Sequence, residues 1–269
     1  PEFEGVACVN ADYNDLHSLI KACEYADAVF FTHPMFEDAI HVNDHIARVG
    51  QAAKETDIKR LVYNTSSWVP DEPCGQLAYD INLQRENIFA ASGVPLIVIR
   101  PVLFMDNLLT NWVKPRLVND GLYQYPHAPS MAANWICLDD VAKFMIAALT
   151  RDDLIGERII IGGKEALKPG QVATALSKAI GREITFDYIT PRQFGETMYD
   201  LFGDVSPLDR DSYAAALDSF YTYVNETNGR SFLVDMESVL KRIPIELTSL
   251  EQWAKEQDWT LHNDGPSGG

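Results

Sequence analysis

The chain has 269 residues, with 22 Lys+Arg against 39 Asp+Glu and a formal net charge of −17. Hydrophobic residues are 46% and charged residues 23% of the total, a balance that excludes disordered, collagen-like and coiled-coil classes. The acidic surplus counts against nucleic acid as the main ligand, since phosphate neutralisation needs clustered Lys/Arg, and no run approaches the roughly 20 apolar residues of a membrane span.

In chain order, the first half alternates short apolar runs with helical patterns. Residues 6–9 read as a strand and 15–26 as a helix with Leu16, Leu19, Ile20 and Cys23 on one face. Residues 28–32 form a strand closed by His33-Pro34, 38–56 a helix, and 61–63 a buried strand followed by the polar stretch 64–67 and a turn-rich loop through Gly75. A helix over 79–91 ends at Ser92-Gly93, where glycine supplies the left-handed cap, and 96–99 is the next strand. This order calls for a doubly wound, Rossmann-like parallel α/β sheet with right-handed crossovers.

After Arg100-Pro101 the alternation loosens. Residues 104–118 read as helical, 135–137 as a short strand, 139–149 as a helix, and 159–161 as a strand ending in Gly162-Gly163. Helices over 168–180 and 191–202 flank a strand at 185–189, with Pro191 at its favoured first position. The aromatic-rich stretch 213–223 and residues 250–256 complete the helices. The expected organisation is a Rossmann-like region over 1–134 with its first strands missing, a mixed region with a smaller interleaved α/β lobe over 135–262, and a disordered tail over 263–269.

A dinucleotide-binding domain opens with a strand, a glycine-rich turn and a helix whose N-terminus faces the diphosphate. Among the 16 glycines neither G-x-G-x-x-G nor G-x-x-G-x-x-G occurs, nor does a phosphate-binding G-x-x-x-x-G-K-S/T loop. If 6–9 is the third strand of order 3-2-1-4-5-6, its neighbour is not in the chain. Either the fold is N-terminally truncated, its glycine turn preceding Pro1, which is the expectation, or the sheet closes in a different order. The four cysteines are scattered without a CxxC pair, which gives neither a disulfide framework nor a zinc cluster. With no signal peptide at the start, a soluble cytoplasmic protein is expected.

Four segments between Val6 and Phe202 resemble the NmrA-like branch of the atypical short-chain dehydrogenases. They are Val9–Tyr13 with 15–19; 26–31 with 58–67; Glu86 through Ser92-Gly93-Val94-Pro95 to Arg100-Pro101 and 104–108; and 135–142 with Ile161-Gly162-Gly163. The resemblance implies NAD or NADP as cofactor. It implies either reduction of a quinone or other conjugated carbonyl, or a non-catalytic sensor of the dinucleotide that binds a partner protein. By position it places Asp12 near the adenine, Thr32 and His33 along the ribose and diphosphate, and Asn64, Thr65 and Ser66 beside the nicotinamide. Pro101 and Phe104 border the nicotinamide and substrate pocket. The resemblance further implies that active short-chain dehydrogenases use Tyr-x-x-x-Lys, which is absent here since Leu83 follows Tyr79 at that spacing, and that many NmrA-like members keep only a Lys four residues before the Glu equivalent to Glu86, where this chain has Asn82. Asn82 can hydrogen-bond a ribose but brings no positive charge to a phenolate. Tyr79 and Asn82 are therefore the catalytic candidates, and hydride transfer to a quinone needs the least acid help.

Other features carry plainer expectations. His41 and His45 share i, i+4 spacing but lack the Glu of H-E-x-x-H, which points to a solvated helix face rather than a metal site. Asp139-Asp140 begin a helix, which points to N-capping and interaction with the helix dipole rather than a catalytic carboxylate pair. Ser66 and Ser67 lack a G-x-S-x-G elbow, against serine hydrolysis. Trp112, Tyr123, Tyr125, Phe220, Tyr221 and Tyr223 are expected mainly in core packing, with a planar-ligand pocket as the other reading.

Overall fold

The computed structural model describes residues 5–33 and 39–261. Its elements, in chain order, are α1 (Leu16–Cys23), β1 (Ala28–Thr32), α2 (Ala39–Glu55), β2 (Arg60–Asn64), α3 (Leu77–Ala91), β3 (Leu96–Pro101), β4 (Leu103–Phe104), α4 (Lys114–Asp120), β5 (Leu122–Tyr125), β6 (Ala133–Ile136), α5 (Leu138–Ala148), β7 (Arg158–Ile161), β8 (Ala166–Leu167), α6 (Pro169–Ile180), β9 (Thr185–Tyr188), α7 (Pro191–Phe202), α8 (Arg210–Glu226), α9 (Met236–Arg242) and α10 (Leu250–Glu256). The chain divides into two units, one of residues 1–101 and 142–160, the other of 102–141 and 161–269.

The first unit is an α/β sheet of order β1-β2-β3-β7, with β1–β2 and β2–β3 parallel. Every residue of β2 is buried. Leu61 and Tyr63 face a core with Leu19 of α1, Val42, Ile46 and Val49 of α2, and Phe89 of α3, while Val62 between them is also fully buried. Since successive strand residues face opposite sides, both faces of the sheet are covered. Asp15 caps α1 by accepting from the His17 N–H at 3.0 Å. Helices α2 and α3 approach closely at Gly50, where a Cβ would lie 2.9 Å from Ser92 Cβ.

The second unit holds two small sheets. One has order β4-β6-β8, with β4–β6 parallel and β6–β8 antiparallel; the other pairs β5 with β9 in parallel. Gly163 sits where a Cβ would be 1.6 Å from Trp135 O, so only a glycine lets these backbones meet. That packing, not a phosphate, accounts for Gly162-Gly163.

Several sequence expectations are corrected. Residues 6–9 form no strand: Val6 and Val9 are 62% and 55% exposed. An apolar run becomes a strand only when its N–H and C=O groups find a ladder, and none is present beside it among the described residues. The edge of β1 away from β2 is likewise unpaired among the described residues. The stretch 104–118 is not one helix. Phe104 ends β4, Met105–Leu109 is a 3₁₀ turn, and α4 starts afresh with Pro115 in its first turn, since proline cannot continue a preceding helix.

His45 is not solvated. It is 6% exposed, falls on the buried stripe with Val42, Ile46 and Val49, and stacks on Tyr13 with ring centroids 5.1 Å apart. Asp139 and Asp140 lie in the first turn of α5, as their expected interaction with the helix dipole requires, but neither is its cap. Asp106 Oδ2 accepts the Leu138 N–H at 3.0 Å, whereas fully buried Asp140 accepts from Thr248 N at 2.7 Å and Thr248 Oγ1 at 3.2 Å, tethering the segment before α10. The expected tail 263–269 lies outside the described residues. No helix among the described residues is long and apolar enough to cross a membrane.

Candidate functional site

In open parallel sheets ligands bind beyond the carboxyl ends of the strands. In the first unit that edge carries a connected set of polar side chains. Leaving β2, the chain turns sharply: Ser66 adopts φ 57°, a left-handed conformation rare for serine, and its N–H donates to Asn64 Oδ1 at 2.9 Å. Thr65 is 1% exposed; its N–H donates to Ile99 O at 3.0 Å, and its hydroxyl lies 2.7 Å from Ser67 O. The following loop is pinned twice. Asp80 of α3 accepts from the N–H groups of Cys74 and Gly75 at 2.8 and 2.9 Å, and Asp71 accepts from Arg100 Nη1 at 3.0 Å.

Arg100 is in turn held by Glu86, which is fully buried and accepts from Arg100 Nε at 2.8 Å, Arg100 Nη2 at 2.7 Å and Arg158 Nε at 2.9 Å. This two-pronged arginine–carboxylate geometry is the strong form of the interaction, and it fixes α3 against the end of β3.

The adjacent residue on α3, Arg85, has no such partner. It is 9% exposed, no carboxylate among the described residues pairs with it, and its Nε has no hydrogen-bond partner. Its Nη1 lies 2.8 Å from His33 Nε2 and donates to Asn82 Oδ1 at 3.0 Å; Asn82 Nδ2 donates to Ser67 Oγ at 2.7 Å. On the other side of the imidazole, His33 Nδ1 lies 2.8 Å from the Tyr63 hydroxyl. A guanidinium has no lone pair to offer, so His33 Nε2 must accept, and the ring carries its proton on Nδ1 toward Tyr63. Burial, with the Arg85 charge adding to it, pushes the His33 pKa down to about 4 and keeps the ring neutral. Burial also raises the Tyr63 pKa and lowers that of Arg85.

The structure thus brings His33, Asn82, Asn64, Thr65 and Ser66 to one end of the sheet, with Ser67 joined to them. Thr32, the last residue of β1, is exposed beside His33. Asp12 is not joined to this set: it is exposed, and its Oδ1 accepts from the Asn14 N–H at 2.8 Å in the turn before α1. Tyr79 is 1% exposed, with its ring edge-on to Trp68 at 4.9 Å. Pro101 ends β3 in the first unit, and Phe104, half-buried, belongs to the second. The sequence analysis missed Arg85 and Tyr63. The signal for Arg85 was its helical phase: with Tyr79, Asn82, Glu86 and Phe89 it shares the buried side of α3, where a sheet-facing helix carries apolar residues.

Of the aromatic candidates of the second unit, Tyr123 and Tyr125 are core, while Trp112, Phe220, Tyr221 and Tyr223 are half-buried. Tyr123 and Tyr125 are buried, and the rings of Tyr125, Trp135, Tyr221 and Phe232 surround His127, at centroid distances of 4.5 to 6.1 Å. Burial pushes the His127 pKa down to about 3.

Comparison with known proteins agrees with this fold. The sequence profile of the NmrA-like family matches residues 2–254. A (4-alkanoyl-5-oxo-2,5-dihydrofuran-3-yl)methyl phosphate reductase of Streptomyces griseus is 32% identical over 187 residues, covering 68% of this chain and 62% of that protein. An NAD(P)H azoreductase of Xenophilus azovorans is 27% identical over 195 residues, covering 72% and 65%. The chain therefore spans less than two thirds of the length of either relative. Among solved structures, an NADPH-dependent quinone oxidoreductase of Escherichia coli complexed with NADPH superposes with a TM-score of 0.73 at 19% identity, covering 93% of this chain and 83% of that one.

Proposed function

The chain belongs to the NmrA-like family, and from that premise we propose that it binds NAD or NADP beyond the carboxyl ends of β1, β2 and β3 and acts as an NAD(P)H-dependent reductase of a quinone or other conjugated carbonyl. The observation that carries this reading is the linked set His33–Arg85–Asn82–Ser67 at the strand ends. Its donors are amides and hydroxyls backed by a buried cation without a carboxylate partner among the described residues. Such a set fits the hydroxyl-rich nicotinamide–ribose half of the reduced cofactor, whose dihydronicotinamide ring is uncharged. The chain has no G-x-G-x-x-G turn for the diphosphate half. Asn64, Ser66 and Asn82 would hold the ribose and nicotinamide, with Thr32 and His33 along the ribose toward the diphosphate.

When bound, the reduced dinucleotide supplies a hydride; the residues of this chain orient the acceptor and exclude water. With no Tyr-x-x-x-Lys and with Tyr79 buried, strong acid catalysis by a phenol is not available. This favours acceptors such as quinones, whose reduced oxygen is a weak base. Equilibrium titration of the chain with NADPH and NADH, followed by nicotinamide fluorescence, tests the reading: saturable binding of at least one supports it, and binding of neither removes it.

A further inference from the structure

A cavity of about 430 Å³ lies wholly in the second unit and shares no residue with the strand-end set. Its volume falls in the lower part of the range of small-molecule sites, about 300–1,000 Å³. Gln124 of β5 and Tyr188 of β9 line it, together with Gln193, Glu196 and Asp200 at helical spacing on one face of α7 and Arg210 at the start of α8. We propose that this cavity binds a neutral polyhydroxylated ring, a pyranose or its glycoside.

Charge decides against an ionic ligand. Arg210 is spent on Asp200, which it grips with both Nη atoms, Nη2 at 3.1 Å. The same guanidinium lies 5.7 Å from the centre of the Tyr199 ring, which holds it in place. Glu196 is offset by Arg192, whose Nε lies 3.4 Å from Oε1. Among the described residues, an anion therefore finds no unpaired cation on these walls, and a cation no unpaired carboxylate.

What remains is a mixture of donors and acceptors with fixed directions. Gln193 Oε1 accepts from the Thr190 N–H at 3.2 Å and from the Thr190 hydroxyl at 2.8 Å, closing the cap of α7. A backbone N–H cannot accept, so this amide is not free to turn over, and Nε2 is left with two hydrogens and no partner among the described residues. Gln124 is fixed the opposite way. Its Nε2 donates to Asp187 Oδ2 at 2.7 Å, which leaves Oε1 as an acceptor without a partner among the described residues. Thr197, also on the cavity wall, gives its proton to Gln193 O at 3.0 Å and keeps its lone pairs. An ammonium uses only the acceptors of such a set, and a phosphate only the donors. A hydroxyl both donates and accepts, so a ring bearing adjacent hydroxyls uses the whole set.

Tyr188 supplies the apolar half of the site. It is 44% exposed, and its ring has no ring contact among the described residues. An aromatic face carries partial negative charge and takes the polarised C–H bonds of a sugar ring. A flat quinone would stack there too, but it has no hydrogen to give Gln124 Oε1.

Saturation-transfer NMR of the full chain with the methyl glycosides of glucose, galactose and mannose tests this. Saturable binding of at least one is expected, with a Kd of about 1 mM, as suits a site open to water. Gln193→Glu keeps the capping acceptor but replaces the free NH₂ by an oxygen, and is expected to weaken that glycoside about tenfold. Tyr188→Ala is expected to weaken it by a similar factor. Urea midpoints check that both variants fold; if Tyr188→Ala does not, Gln193→Glu decides alone. Binding of none of the three glycosides at about 100 mM overturns the proposal. So does binding that either folded variant leaves at full strength, and so does saturation by choline or inorganic phosphate in preference to the glycosides, which marks an ionic site.

Discussion

Two histidines, one in each unit, are kept neutral by burial: His33 to about 4 and His127 to about 3, from an ordinary 6.5. The unfolded chain takes up protons on both below about pH 6.5, whereas the folded chain refuses them until the pH is far lower. Their contribution is therefore complete above that pH and is lost as the pH falls toward 4. In urea titrations the wild-type midpoint is expected to drop between about pH 7 and about pH 5. His127→Phe, which keeps an aromatic ring inside the Tyr125–Trp135–Tyr221–Phe232 cage, is expected to drop less. An identical pH response in the variant would show that the fold leaves the His127 pKa where it stands in the unfolded chain.

At the scale of the element, α3 decides most of what is distinctive here. Its run Gln84-Arg85-Glu86-Asn87 reads in sequence as a solvated face, yet the structure turns Arg85 and Glu86 inward and leaves Gln84 and Asn87 exposed. Composition cannot distinguish these outcomes, because the deciding partner of Glu86, Arg100, stands on another element. This is why His33, Asn64–Ser66 and Asn82 were legible, as residues at strand ends or at a motif position, and the Arg85–His33–Tyr63 link was not. The same holds for the fold. β2 and α3 announce themselves by an apolar run and a Ser-Gly stop, whereas residues 6–9 carry the apolar signature of a strand without a neighbour to make one. Glu86→Gln leaves buried Arg100 facing only the exposed Asp71 and is expected to cost about 3–5 kcal/mol in urea unfolding. Asp71→Asn is expected to cost about 1 kcal/mol or less. A loss below about 1 kcal/mol for Glu86→Gln would mean that the ion pair does not organise α3.

Over the whole molecule the charge of −17 works against close approach of like chains and weakens in salt. One local feature works the other way. β1 hydrogen-bonds to β2 on one side only, its far side has no partner among the described residues, and Phe30 is 48% exposed. Sheet edges of this kind recruit further strands unless charge, proline or a bulge blunts them. Ala28–Thr32 carries none of these. In light scattering the 269-residue chain is expected to grow in size with concentration, more so as added salt mutes its repulsion, and Phe30→Lys is expected to suppress that growth. A particle size independent of salt and concentration would show that the rim of β1 is shielded. If growth is seen, the rim of β1, unpaired among the described residues, is a seam: a place where this sheet accepts one more ribbon of backbone, whichever chain provides it.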